Sequence, residues 1–147
     1  MKPGGLATAS AGQRPSPHEK SNFDSPEQTV RVFAAALGRG DLDVAIACFA
    51  RDGCFLTPDA TAVLGRDDIR PILAQMLAGC RAVRVETRGL LTAGETALGS
   101  ERWTLGSNGP DGEPFERTST SLVVLAKIEG DWKLTILAPW AEGSPAL

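Results

Sequence analysis

The chain of 147 residues contains no tyrosine, and its only histidine is His18. Histidine carries most proton transfer near neutral pH, with phenols a common second choice. Acid–base chemistry here does without either, unless the N-terminal segment folds back. Cysteine is scarce: Cys48, Cys54 and Cys80 are odd in number and sit in apolar segments. That fits reduced core thiols in a cytoplasm better than a disulfide frame. No apolar run approaches the roughly twenty residues that span a bilayer. Pro3-Gly4-Gly5 interrupts any signal-peptide core directly after Met1-Lys2. A basic excess is missing too, since 15 Lys and Arg face 18 Asp and Glu for a formal charge of −3. Nucleic acid and acidic membranes are therefore not expected partners. No Cys/His/carboxylate set has metal-ligand spacing, and no glycine-rich loop stands between strand and helix to hold phosphate.

What remains is the composition of one ordinary globule, 42% hydrophobic and 22% charged. Residues 1–24 are rich in Gly, Pro, Ser and Ala, a composition too poor in apolar side chains to offset ordering, so they read as a flexible tail containing His18. The domain is expected over 25–142, with a short tail at 143–147. Ser25-Pro26-Glu27-Gln28 is an N-cap, a first-turn proline and a glutamine at capping-box spacing. Val30, Phe33, Ala34 and Leu37 then repeat at helical spacing up to Gly38. Asp41 caps a second helix with the stripe Leu42, Ala45, Ile46 and Phe49. Cys54 to Thr57 reads as a short strand closed by Pro58-Asp59, and Ala62 to Leu64 as a small returning one. A third helix follows, with Asp67 as its cap and Ile69, Ile72, Leu73, Met76 and Leu77 buried.

Long strands are expected from Cys80 to Leu91 and from Thr96 to Leu105, with Gly106 to Gly112 as a loop. The last pair forms a hairpin around Glu129-Gly130-Asp131. Read in steps of two, Thr118, Thr120, Leu122, Val124, Ala126 and Ile128 share a face, as do Trp132, Leu134, Ile136, Ala138 and Trp140. Pairing Ile128 with Trp132 and Val124 with Ile136 would make this one wall of a cavity. Helices first and long antiparallel strands last predict an α+β fold, a cone-shaped roll of three N-terminal helices on a strongly curved antiparallel sheet. Its hollow suits a hydrophobic small molecule.

Several landmarks resemble the nuclear-transport-factor-2-like superfamily. They are the helices around Gly40-Asp41-Leu42, Asp52-Gly53-Cys54-Phe55-Leu56-Thr57-Pro58, Gly65-Arg66-Asp67-Asp68-Ile69 and the Gly130-Asp131-Trp132-Lys133-Leu134 hairpin. The likeness is to its SnoaL-like and ketosteroid-isomerase-like branches and to SgcJ/EcaC-type proteins of polyketide clusters, over about residues 25–140. It implies homodimerisation through the outer sheet face, a place in polyketide-type secondary metabolism, and cofactor-free chemistry. The superfamily also includes non-enzymes. Where isomerase-like members carry an aspartate base before a proline, Thr57 stands before Pro58. Ile136, Leu137 and Ala138 occupy positions where many relatives carry histidines and an aspartate.

Glu101 is the leading catalytic candidate, because it alternates in phase with Ala97, Gly99, Trp103 and Leu105. A carboxylate against a tryptophan on an apolar face has its pKa raised and becomes a general acid or base. Ala97 and Gly99 would leave room for a ligand. The competing reading pairs Glu101 with Arg84, Arg88 or Arg117. Asp59 is the reserve candidate, against the plainer reading of Pro-Asp as a turn. Phe55, Thr57, Trp103 and Leu122 are expected to line the ligand site. Thr118, Thr120, Ile136, Ala138 and Trp140 complete it, with Thr120 and Trp140 orienting the ligand. Arg66 reads as structural. The function expected is cyclisation, isomerisation or dehydration of an enolisable carbonyl compound. A non-catalytic carrier of a reactive intermediate is the competing hypothesis, and a dimerisation module a third.

Overall fold

The computed structural model describes residues 23–142, with side chains from 23 to 139. His18, most of the expected N-terminal tail and residues 143–147 lie outside the described residues. Helix α1 (Pro26–Gly38) begins as the capping signal predicts: Gln28 N–H donates to Ser25 Oγ at 3.0 Å. Helix α2 (Leu42–Ala47) is capped by Asp41, whose carboxylate accepts from Val44 N–H at 3.2 Å. It is shorter than its stripe suggested, since Phe49 already opens strand β1 (Phe49–Leu56). After β2 (Ala62–Leu64), helix α3 (Arg66–Ala78) starts from Gly65 at φ 88° rather than from Asp67. Only glycine adopts that conformation without strain.

Four long strands follow: β3 (Ala82–Ala93), β4 (Thr96–Asn108), β5 (Pro114–Ile128) and β6 (Asp131–Glu142). Together the six strands form one curved, open sheet in the order β2-β1-β6-β5-β4-β3. All neighbours are antiparallel except β1 and β6, which run parallel. Gly106, Ser107 and Asn108, expected in a loop, extend β4 and pair with Glu116, Phe115 and Pro114. The helices cover one face. Phe33 of α1 meets Phe49 edge-on at 5.7 Å and Trp103 at 6.2 Å between ring centroids. Phe23 is held to the domain, its carbonyl accepting from Trp132 N–H at 2.8 Å and its ring lying under Lys133 Nζ.

The hairpin corrects the expected faces. Its turn is two residues, not three: Glu129 (φ 52°) and Gly130 (φ 88°) connect Ile128 to Asp131, which pair. Positive φ at both central residues matches the type I′ geometry that suits twisted hairpins. Asp131 therefore joins the strand, Trp132 faces Lys127, and Leu134 faces Leu125. A bulge at Thr135 then restores Val124 opposite Ile136 and Leu122 opposite Ala138. A one-residue slip exchanges faces along a whole strand. Val123, Leu125 and Leu137 are consequently buried under the helices, whereas Leu122 and Ile136 are 43% and 44% exposed on the far face.

Candidate active site

Strand β4 places both Glu101 and Trp103 on the helix-covered face, with Thr87 of β3 and Ser121 of β5 directly opposite Glu101. The Glu101 side chain is 1% exposed. Trp103 Nε1–H donates to Glu101 Oε1 at 3.0 Å. Among the described residues neither Glu101 Oε2 nor the buried Ser121 hydroxyl has a hydrogen-bond partner. Burial pushes the Glu101 carboxyl up from 4.5 to about 7, against the indole N–H, which favours the charged form. An acid poised near neutrality can both give and take a proton. Among the described residues no arginine forms an ion pair with it. Among the described residues the ion pairs are Arg39–Asp41, Arg70–Asp43 and Arg84–Glu86.

The remaining expected residues are distributed differently. Phe55 is a buried core residue on β1, opposite Leu137. Thr57 and Asp59 form the β1–β2 turn: the Thr57 hydroxyl donates to the Asp59 carboxylate, and Thr61 N–H donates to Thr57 Oγ1 at 3.1 Å and to Asp59 Oδ1 at 3.3 Å. These bonds hold exposed Asp59 below its ordinary pKa and accord with the plainer reading of Pro-Asp as a turn. Thr118, Thr120, Leu122, Ile136 and Ala138 lie in the phase opposite to Glu101, as the flipped hairpin requires. They do not line the interior with it, and Leu122 and Ile136 cannot pack a hollow beside Trp103. Trp140 falls within β6, but its side chain lies outside the described residues.

The space over Gly99 is filled as well. A Cβ there would lie 3.0 Å from Leu90 Cδ1 and 3.1 Å from Val123 Cγ2, so these two side chains fill the space directly over Gly99. Ser121, whose hydroxyl the sequence offers beside those of Thr118, Ser119 and Thr120, was not among the expected site residues, yet it is the one of the four that is fully buried. Its signal was its place in the phase of Ser119, opposite to Thr118 and Thr120.

Arg66 is structural, as read from the sequence: its Nε–H and Nη2–H donate to the Phe49 carbonyl at 2.9 and 2.6 Å. Lys133 Nζ donates to the Ala47 carbonyl at 2.8 Å. The adjoining cleft, about 480 Å³ and lined by Arg51, Arg66 and Lys133 but also Asp52, Glu129 and Asp131, carries mixed charge. Burial pushes the nearby Cys48 thiol up to about 12, which suppresses the nucleophilic thiolate. Among the described residues no three His, Cys, Asp or Glu side chains gather to hold a metal. No helix among them is long and apolar enough to cross a membrane.

A family model described as the SnoaL-like domain matches residues 30–143. Solved structures with the same architecture include a ketosteroid isomerase-like protein from Erwinia carotovora atroseptica, 17% identical, covering 81% of this chain and 95% of that one, TM-score 0.68. A candidate calcium/calmodulin-dependent protein kinase type II association domain from Thiobacillus denitrificans is 19% identical, covering 82% and 98%, TM-score 0.65. A candidate SnoaL-like polyketide cyclase from Shewanella denitrificans is 16% identical, covering 79% and 90%, TM-score 0.63. At such identities these likenesses show the fold alone. No curated protein matches the chain.

Proposed function

The chain belongs to the SnoaL-like domain family, and from that premise we propose that it binds a hydrophobic small molecule inside the cone, with Glu101 moving a proton on it. The observation that carries this reading is the buried Glu101 carboxyl, held by Trp103 through one oxygen and unpartnered at the other among the described residues. The reaction class is cofactor-free cyclisation, isomerisation or dehydration of an enolisable carbonyl compound. A polyketide-type intermediate of secondary metabolism is the proposed ligand, a reading supported by the likeness to the candidate cyclase. Three unbridged cysteines accord with a reducing cytoplasm.

A second copy of the chain is the proposed occupant of the far sheet face. There Leu91, Leu98, Val124, Ile136, Cys54 and Leu64 follow one another in register across all six strands. Leu64, Leu91 and Leu98 are 63%, 71% and 50% exposed. Such a continuous apolar row on an open face favours burial against another protein surface.

Deuterium exchange tests the catalytic reading. Wild-type protein in deuterated water is expected to speed exchange at the carbon beside the carbonyl of 1-tetralone, a bicyclic enolisable ketone. Glu101→Gln is expected to abolish that acceleration while remaining folded. Full exchange in the variant would overturn the role of Glu101. A carrier is the second reading, favoured by the missing tyrosine and by Thr57 standing before Pro58. Binding of the ketone without exchange in either protein would select it.

A further inference from the structure

Lys133 of β6 carries an amine that the proposed chemistry leaves unused. Its Nζ donates to the Ala47 carbonyl at 2.8 Å and stands 3.5 Å from the centroid of the Phe23 ring. These two contacts pin the end of a long side chain at one point on the wall of the cleft of about 480 Å³. Burial, reinforced by the neighbouring Arg66 guanidinium and opposed by Asp131, holds the ammonium below the ordinary lysine range. A lysine desolvated beside another cation is activated as a nucleophile. Cys48, close by, does not compete, because burial keeps its thiol protonated. Arg51 lines the same cleft and forms no ion pair among the described residues, whereas Arg66 donates to the Phe49 carbonyl. The cleft therefore presents a fixed amine and a guanidinium open to an anion.

We propose that this cleft is a second ligand site, which takes a small aldehyde or ketone carrying one carboxylate and holds it covalently as an imine of Lys133. Arg51 receives the carboxylate. The ammonium gives one proton to water, and the freed nitrogen lone pair attacks the carbonyl carbon to form the C–N bond. A nitrogen proton passes to the carbonyl oxygen, leaving a carbinolamine. Its hydroxyl takes a proton back from water and departs as water, while the nitrogen lone pair closes the C–N double bond. Ammonium and carbonyl compound thus become iminium and water, with nothing oxidised or reduced. The iminium keeps the positive charge and one N–H, so the Phe23 ring and the Ala47 carbonyl retain their partner. Asp52, Glu129 and Asp131 share the cleft and repel a ligand with more negative charge than one carboxylate. No step involves Glu101, so this cleft and the interior of the cone stand or fall separately.

The test treats wild-type protein near neutral pH with cyanoborohydride and either glyoxylate, an aldehyde with a carboxylate, or propanal, an aldehyde without one. Hydride reduces each imine to a stable amine, which peptide mass mapping locates. Lys127, an exposed lysine of the same hairpin outside the cleft lining, is the internal reference, so the intrinsic reactivity of each aldehyde cancels. Glyoxylate is expected to modify Lys133 about fivefold faster than Lys127. With propanal that preference should be about threefold smaller, and exposed Arg51 changed to Gln should lower the glyoxylate preference by the same factor while leaving that of propanal unchanged. Lys133→Arg, which keeps a cation beside Phe23, should remove the fast phase from the whole-protein mass. Equal modification of the two lysines by glyoxylate, or faster modification of Lys127, would overturn the proposal. A preference that is the same for both aldehydes, or unchanged in Arg51→Gln, would overturn it too, because nothing in the cleft would then recognise the anion.

Discussion

Trp103 donates its indole N–H to Glu101 Oε1 at 3.0 Å, two residues back along the same strand and on the same buried face. This contact fixes the carboxyl group and opposes the rise that burial imposes on its pKa. Replacing the indole with a ring that has no N–H should therefore push the Glu101 pKa further upward. In Trp103→Phe, the carboxyl carbon of Glu101 followed by ¹³C NMR should titrate at higher pH than in wild type. A downward shift would show that the bond does not favour the charged form. The smaller ring should also destabilise the core by about 1–3 kcal/mol.

Stability should depend on pH through Glu101. Its pKa rises from 4.5 to about 7 on folding, so the folded protein keeps a proton that the unfolded chain has released between those values. This contribution is fully present at low pH and is lost as the pH climbs through about 7. The loss amounts to roughly 3 kcal/mol at about 1.36 kcal/mol per unit. Urea unfolding should find Glu101→Gln more stable than wild type at about pH 8, with the gap shrinking towards about pH 5. Parallel pH profiles for the two proteins would contradict this.

The far sheet face should govern assembly. A lysine at Ile136, 44% exposed in the middle of the apolar row, sets a charge where the second copy would pack. Ile136→Lys is expected to sediment as a monomer with an unchanged circular dichroism spectrum, while wild type sediments as a dimer. A dimeric variant would move the interface elsewhere.

Gly53 should resist substitution. A Cβ on it would sit 3.1 Å from the Ala50 carbonyl oxygen, 3.2 Å from that of Leu134 and 3.2 Å from Phe49 Cδ1. Two of these neighbours are backbone where β1 bulges against β6, so they cannot move aside cheaply. Gly53→Ala is expected to cost about 2 kcal/mol in chemical denaturation. An unchanged midpoint would mean that the bulge is loose.

The helices and strands were largely legible in the sequence because their signals are local. Ser25 and Asp41 cap as their spacing implies, and the long strands fall where alternation and turn residues put them. The parallel β1–β6 pairing was not legible, since it joins segments about eighty residues apart with no local mark. The faces of the hairpin failed for a specific reason. Leu122-Val123-Val124-Leu125 is apolar in both phases, so alternation cannot say which half faces inward. The decision rests on Glu129, a non-glycine residue with positive φ, and on the bulge at Thr135. Strand β4 had no such ambiguity. Arg102 breaks the run beside Glu101 and Trp103, and both were read on the correct face. The burial of Ser121 had no local mark, because it follows from which face of β5 turns inward.

Titration of the Glu101 carboxyl by ¹³C NMR, with Glu101→Gln identifying the signal, measures most directly whether the cone holds an acid poised for proton transfer. The expected result is a midpoint near 7, well above the ordinary 4.5 for a glutamate. A midpoint at the ordinary value would mean that the carboxyl is solvated and charged at neutral pH, and the proposed chemistry would have no proton to move.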